Sequence, residues 1–391
     1  MSEWQETMLY NIAEIQTGPF GSQLHNRDYV EYGTPIVTVE HLGNRKMTRQ
    51  NLPYVSDKDK LRLIKYSLKY GDVVFSRVGS VDRCSFVSKE EDGWLFSGRC
   101  LRVRPIVNKI DRNFLYYYFS TEMTKETVRR IAVGATMPSI NTELLSNLII
   151  CFPPLHEQRT IAEVLFSLDD KIDLLTRQNA TLEALAQTYF QQWFVEDNEN
   201  ELISVSLIAT LENISVNPAR QSLEQFYHYS IPAYDNNQTP IVELGKTILS
   251  NKFIVQPNSI LVSKLNPATS RIWRIDRNVL QKSVCSTEFQ VLKPQDMKYY
   301  LFLYCLMKSN DVTTSFTMSA SGTSGSHQRI RPEYILEIET PKPDIEKLSL
   351  FNKVCTPMME KVKTNTKHIQ TVQKLRDTLL PKLISGEVRV K

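Results

Sequence analysis

Cysteine is sparse and unpatterned. The six residues, at 84, 100, 151, 285, 305 and 355, include no Cys-x-x-Cys pair. That argues against zinc ribbons, zinc fingers and iron–sulfur sites and suits thiols in a reducing compartment. No apolar run approaches the roughly 18 residues that a membrane helix needs. The opening Met1-Ser2-Glu3-Trp4-Gln5-Glu6 has no basic patch ahead of an apolar core, so no secretory signal is expected and a cytoplasmic location is. A Gly-x-x-x-x-Gly-Lys-Ser/Thr phosphate loop is absent. The histidines (25, 41, 156, 228, 327 and 368) show no His-Glu-x-x-His spacing. Asn217-Pro218 and Asn266-Pro267 are each followed by alanine, not by the Pro-aromatic pair of amino-methyltransferases, and no glycine-rich AdoMet loop follows a strand. No catalytic residue, no metal ligand and no cofactor of its own can therefore be nominated. Charge of one sign is not in excess either: the net charge is +4, too little by itself to argue for nucleic acid.

The distribution of charge says more than its sum. Residues 1–152 carry 20 basic and 17 acidic groups, 153–197 carry 3 and 8, 198–341 carry 13 and 13, and 342–391 carry 11 and 5. The acidic second segment and the basic fourth are both helical by pattern, so pairing between them is expected. The first and third segments repeat one plan with a period near 189 residues. Tyr70-Gly71-Asp72-Val73-Val74-Phe75-Ser76-Arg77-Val78 matches Gln256-Pro257-Asn258-Ser259-Ile260-Leu261-Val262-Ser263-Lys264-Leu265, a turn, an apolar strand and a polar loop. Cys100 to Pro105 answers to Phe289 to Pro294, and an aromatic helix follows each, Phe114 to Phe119 and Tyr299 to Met307. Then come small polar loops, Gly134 to Ser139 and Ser321 to Ser326, and Pro-marked junctions at Pro153-Pro154 and Pro341-Lys342-Pro343. Each repeat reads as a mixed module, rich in short strands and closed by helix.

The helical segments carry a coiled-coil seam. Apolar residues recur at 161, 165, 168, 172 and 175, then at 182, 186, 189 and 193, with Asn179 on the seam between them. A buried amide at such a position fixes register. The second segment continues with Leu348, Phe351, Cys355, Met358, Val362, Ile369, Val372, Leu379 and Leu383. Leu168, Ile172, Leu175, Asn179, Leu182, Tyr189, Trp193, Met358, Val362, Ile369, Val372, Leu379 and Leu383 are the residues expected to pack the helices or dock partners. Ser167, with Asp169 and Asp170 behind it, reads as a cap, and Thr356-Pro357 as a second cap. Each segment is thus expected as a short helix, a break and a helix of about 27 residues, or about 40 Å. The second should stop near Ser385-Gly386. Asp169-Asp170-Lys171 could suggest a nuclease pair, but in a helical first turn it reads as a capping cluster. The aromatics Tyr189, Phe190, Trp193 and Phe194 read as packing against the second helix or a partner rather than as a base-binding box.

The chain resembles the specificity subunits of type I restriction-modification systems, over its whole length. The resemblance rests on Gly18-Pro19-Phe20-Gly21-Ser22, on Gly71-Asp72-Val73-Val74-Phe75-Ser76-Arg77-Val78-Gly79-Ser80-Val81, on Pro153-Pro154-Leu155-His156-Glu157-Gln158-Arg159-Thr160-Ile161-Ala162, and on Leu375-Arg376-Asp377-Thr378-Leu379-Leu380-Pro381-Lys382-Leu383-Ile384-Ser385-Gly386-Glu387. It implies an α+β chain with two pseudo-repeated target-recognition domains, 1–152 and 198–341, separated by two long antiparallel coiled-coil helices, 153–197 and 342–391. It implies a non-catalytic reader of a bipartite, asymmetric duplex DNA target in phage defence. Two methyltransferase (modification) subunits would dock on the helices and bind AdoMet, and restriction/translocase subunits would bring ATP and Mg; no membrane is involved. The second repeat departs from the Gly-Asp-Val-Val-Phe-Ser-Arg form and has Asn258 to Asn266 in its place. A reading from another class is a coiled-coil scaffold for protein partners that reads no DNA.

Loop chemistry nominates the DNA contacts. Ser76, Arg77, Ser80 and Arg83 flank Gly79, which lets backbone approach a phosphate; arginine pairs with guanine, and hydroxyls and N–H groups bind phosphate. In the second repeat Ser324, Ser326, His327, Gln328, Arg329 and Arg331 cluster without a carboxylate between them, and Lys264, Asn266 and Arg271 sit on the loop that matches Arg77. Arg45 and Lys46 are expected to position phosphate. Ser22 and Gln23 of the early Gly-Pro loop, and Thr136, complete the set.

Overall fold

The computed structural model describes residues 4–19, 23–43, 45–196, 201–236, 238–276, 282–320 and 328–390. They form two compact units, Met1–Leu175 with His368–Lys391, and Thr176–Lys367.

At the centre of the first unit is a four-stranded antiparallel sheet in the order Ala13–Thr17, Cys100–Pro105, Val73–Ser76, Cys84–Phe86. Alternate side chains on a strand point to opposite faces, and here both faces are covered. Val73, Phe75, Leu101 and Val103 enter one core with the aromatic helix Arg112–Ser120 and the long-helix residues Ile161, Leu165 and Leu383. Val74 and Cys100 enter a second core with Ile36, Val55 and Phe96, on a smaller sheet of Tyr29–Val30, Tyr54–Val55, Thr34–Val37 and Leu95–Phe96. Burial on both faces is why Val73-Val74-Phe75 is continuously apolar and not alternating. Asp111 caps the aromatic helix by accepting from the Asn113 and Phe114 N–H groups.

The second unit repeats the plan. Its central sheet runs Ala209–Leu211, Phe289–Pro294, Ile260–Ser263, Ile272–Arg274. Ile260, Val262 and Leu292 face one core with the helix Tyr300–Lys308 and long-helix residues Phe190 and Phe351. Leu261, Phe289 and Val291 face the other. The outer sheet differs from its counterpart, with five strands in place of four. In each unit a strand near the start of the repeat pairs with one near its end, Gln5–Met8 with Ile149–Phe152 and Leu202–Ser204 with Glu339–Pro341.

Both units contain parts of two long helices, Leu155–Phe190 and Ile345–Ile384. Neither breaks where the cap signals predict. The Ser167 hydroxyl donates to the Val164 carbonyl at 2.8 Å, a bond back along the same helix, and does not cap. Proline inside a helix costs about 3 kcal/mol, yet the helix runs through Pro357 because Cys355, Met359 and Val362 on either side are buried. The glycine stop is as expected: the helix ends at Ile384, and Gly386 has φ +77°, where a Cβ would also lie 2.9 Å from the Trp4 ring.

The helices pair antiparallel. In the first unit Asp169 accepts from Arg376 at 2.7 Å. In the second unit Asn365, fully buried, donates to Asn179 at 2.9 Å and to Gln178 at 2.8 Å, and Asn179 donates to Thr366 at 3.3 Å. Further along the same unit Trp193 meets Phe351 edge-on, 6.3 Å between ring centres. Leu175, Val362, Ile369 and Leu383 are buried, and Leu168, Ile172, Asn179, Leu182, Tyr189, Trp193, Met358, Val372 and Leu379 are half-buried. Charge pairing is more local than acid helix against basic helix. Asp170 takes Arg45 at 2.5 Å and Asp173 takes Lys46 at 2.8 Å, both from the module beside them, and Glu183 takes Lys308 at 2.6 Å. Among the described residues no helix is long and apolar enough to cross a membrane.

Candidate nucleic-acid interface

One loop arrangement occurs in both units. In the first, the buried Ser76 hydroxyl donates to the Val78 carbonyl at 2.8 Å and turns the chain out of the central sheet. Gly79 follows at φ +73°, where glycine is unstrained. Its N–H donates to Pro138 at 2.8 Å, and Val78 bridges to Ser139, so the loop bearing Thr136 folds against the loop bearing Arg77. Arg77 is held from three sides: its N–H donates to the Arg99 carbonyl at 2.8 Å, its carbonyl accepts from Ile140 at 2.9 Å, and Nη1 donates to the Gly98 carbonyl at 3.2 Å. A cleft of about 720 Å³ opens here, lined by Pro19, Thr38, Glu40, Arg77, Ser97 and Arg99 among others. Arginines on its wall suit guanine edges or phosphate, and Glu40 suits the amino group of cytosine.

In the second unit Ser263 donates to the Leu265 carbonyl at 3.2 Å, and Asn266 takes the left-handed backbone at φ +49°. The Asn266 N–H donates to Gln328 at 2.8 Å, Leu265 bridges to Arg329, the Lys264 N–H donates to Glu288 at 2.9 Å, and the Ile330 N–H donates to Lys264 at 3.1 Å. The backbone wiring repeats; the side chains do not.

The nominated residues divide accordingly. Arg77 and the exposed Ser80 lie on a loop bonded to the one that carries the exposed Thr136, and Lys264 and Asn266 lie on a loop bonded to the segment of Gln328 and Arg329. Arg331 is exposed and lies 5.2 Å from the centre of the Tyr334 ring. Others are committed to the fold. Ser76 is buried and shapes its loop. Arg45 lies on Phe166, 3.9 Å from the ring centre, and binds Asp170, and Lys46 binds Asp173, so neither is a loose phosphate clamp. Arg83 donates to the Leu42 carbonyl, and Arg271 forks onto Asp235 at 2.7 and 3.0 Å. Gln23 accepts from the Tyr66 hydroxyl at 2.6 Å through its side chain and from Arg62 through its carbonyl. Ser22, Ser324, Ser326 and His327 lie outside the described residues. Reasoning from sequence missed Arg99 and Glu288, each one residue ahead of the matching strands Cys100–Pro105 and Phe289–Pro294; that match was the signal available.

Burial pushes the Cys84, Cys100 and Cys285 thiols up to about 12, so they stay protonated. The buried Tyr117 hydroxyl, donating to Asp169 at 2.7 Å, is likewise pushed up by burial and by that carboxylate. Among the described residues no group of three or more His, Cys, Asp or Glu side chains could hold a metal.

A family model described as the type I restriction modification DNA specificity domain matches residues 1–184. The chain is 26% identical over 311 residues to the type I restriction enzyme MjaIX specificity subunit of Methanocaldococcus jannaschii, covering 71% of this chain and 69% of that protein. It is 23% identical over 469 residues to the type I restriction enzyme HindI specificity subunit of Haemophilus influenzae, covering 99% and 100%. Among solved structures, the type I restriction-modification S subunit from M. genitalium is similar with a TM-score of 0.62 and 16% identity, covering 98% of this chain and 96% of that one. At that identity the likeness is one of fold.

Proposed function

We propose that this chain, whose residues 1–184 match the family model of the type I restriction modification DNA specificity domain, reads a split, asymmetric DNA target for a type I restriction-modification complex, one half-site per unit. The observation that carries this reading is the repeated loop arrangement, with the same backbone bonds and different side chains in the two units. Phosphate contacts position a protein on the duplex, and base contacts specify sequence. Arg77, Ser80 and Thr136, with Arg99, are the contacts for one half-site; Lys264, Asn266, Gln328, Arg329 and Arg331 are those for the other. The long helices set the gap between half-sites and dock two modification subunits. Leu174 and Leu375 in the first unit and Leu185 in the second are exposed on these helices and are the side chains such docking would cover. Methyl transfer from AdoMet is then the work of those partners, and ATP- and Mg-dependent cleavage that of the restriction subunits.

The test is a methylation assay with the full chain, modification subunits and AdoMet, read by sequencing the methylated sites. Arg77→Ala is expected to relax one base of one half-site, weakening its reading by about 1–3 kcal/mol if the contact is bidentate. The same motif methylated at the same rate would remove Arg77 from the interface. The purified chain with AdoMet alone is expected to transfer no methyl group. Binding to duplex DNA that does not weaken as salt rises would count against phosphate contact and favour a scaffold for proteins only.

A further inference from the structure

The equivalence of the two loop sets can be taken residue by residue. Arg77 and Lys264 each donate a backbone N–H to the residue that precedes the matching strand, Arg99 in one unit and Glu288 in the other. Each then accepts from an isoleucine, Ile140 or Ile330, that follows the bridging residue, Ser139 or Arg329. At one place the charge is inverted, Arg99 against Glu288, and at another a small hydroxyl is replaced by a guanidinium, Ser139 against Arg329.

The two exchanged residues of the second unit hold one another. Arg329 Nε donates to both Glu288 carboxylate oxygens, at 3.2 and 3.1 Å, and Nη2 donates to Oε1 at 3.0 Å. The Arg329 side chain is 44% exposed and that of Glu288 25%. An exposed pair of this kind contributes little to stability, so the fold does not require it. What the pair does is geometric and electrostatic. A forked contact fixes the plane of the guanidinium. A carboxylate against a guanidinium also cancels the net charge that draws a cation to phosphate. A fixed, neutralised arginine is poorly suited to the backbone and well suited to the directional acceptors of a base edge.

We propose that Glu288 is a positioning residue for specificity: it holds Arg329 at a set angle and suppresses its pull on phosphate, so that Arg329 reads a base in the half-site of the second unit. This rests on the DNA-reading function proposed above. The first unit, with arginine where the second has Glu288, meets its half-site through different chemistry at the equivalent position.

The experiment takes the full chain assembled with modification subunits and selects from a pool of duplexes of randomised sequence, followed by a salt titration on the enriched duplex. Wild type is expected to enrich a split motif. Glu288→Gln is expected to flatten one position in one half-site only, lowering the preference for matched over mismatched duplex about tenfold. It should also steepen the slope of log affinity against log salt by about one, as the released arginine turns to a phosphate. Glu288→Asp, which keeps the charge, should restore most of the preference and the shallower slope. An unaltered preference and slope in Glu288→Gln would overturn the inference while leaving DNA reading intact. Equal weakening of both half-sites with a lowered unfolding temperature would overturn it too, because Glu288 would then serve the fold. If wild type enriches no motif, the DNA-reading function itself falls and the inference with it.

Discussion

Asp169→Ala is expected to destabilise the first unit by about 3 kcal/mol, the lower end of what breaking a buried charge pair costs. The carboxylate is buried. It accepts from the Tyr117 hydroxyl and from Arg376 Nη1, each at 2.7 Å, and Arg45 Nη1 stands 4.0 Å away. Alanine leaves a buried hydroxyl without its acceptor and two guanidinium groups short of a counter-charge. The loss falls at the low end because Arg45 keeps Asp170 and Arg376 keeps Asp377. Asp169→Asn retains an acceptor and should lose less. Urea unfolding followed by tryptophan fluorescence measures both, since Trp4 and Trp94 report on this unit. Equal midpoints for wild type and Asp169→Ala would show that the hub contributes nothing.

A heptad added after Leu175 in the first long helix alone is expected to abolish target methylation. Two polar contacts set the register of the helix pair, Asp169 with Arg376 and Asn179 with Asn365. Seven residues inserted between 169 and 179 on one strand of the pair leave only one of them able to form. A second heptad between Lys367 and His368 lets both form again and keeps the apolar seam in phase. The doubly extended chain is expected to recover activity on a target whose gap is wider by about three base pairs, since seven residues rise about 10.5 Å and a base pair about 3.4 Å. Sequencing the methylated sites gives the gap directly. Recovery with the original gap would refute the spacing role of the helices.

The central sheets and the aromatic helices were legible because burial on both faces writes a continuous apolar run, Val73 to Phe75 and Ile260 to Val262, at matching places in a duplicated chain. The register was half legible. Asn179 stood out on the first seam, while the second seam skipped from Val362 to Ile369 and from Val372 to Leu379. Those two gaps hold Asn365 and Arg376, the partners of Asn179 and Asp169. An interrupted apolar pattern thus carried the information, but only its complement on the other helix gives it meaning. Helix continuity at Ser167 and Pro357 was not legible, because cap signals are local and the burial that overrides them is not. The carboxylates met by two of the expected DNA contacts have one thing in common: Arg45, expected at phosphate, meets Asp170, 125 residues away, and Arg271, expected on the loop that matches Arg77, meets Asp235, 36 away. A sequence window shows a basic loop and not the carboxylate that folding brings to it.

The bonds that join the two loop tips are between main-chain N–H and C=O groups, the Ser76 and Ser263 hydroxyls turn the chain out of each sheet, and Gly79, Gly134 and Asn266 supply the left-handed backbone angles. Replacing the side chains at 77, 99 and 139, or at 264, 288 and 329, therefore leaves the chassis intact. On the proposed reading of DNA, recognition and folding are then separately mutable, and a lineage would acquire a new target by a few exchanges at these six positions without passing through a misfolded intermediate.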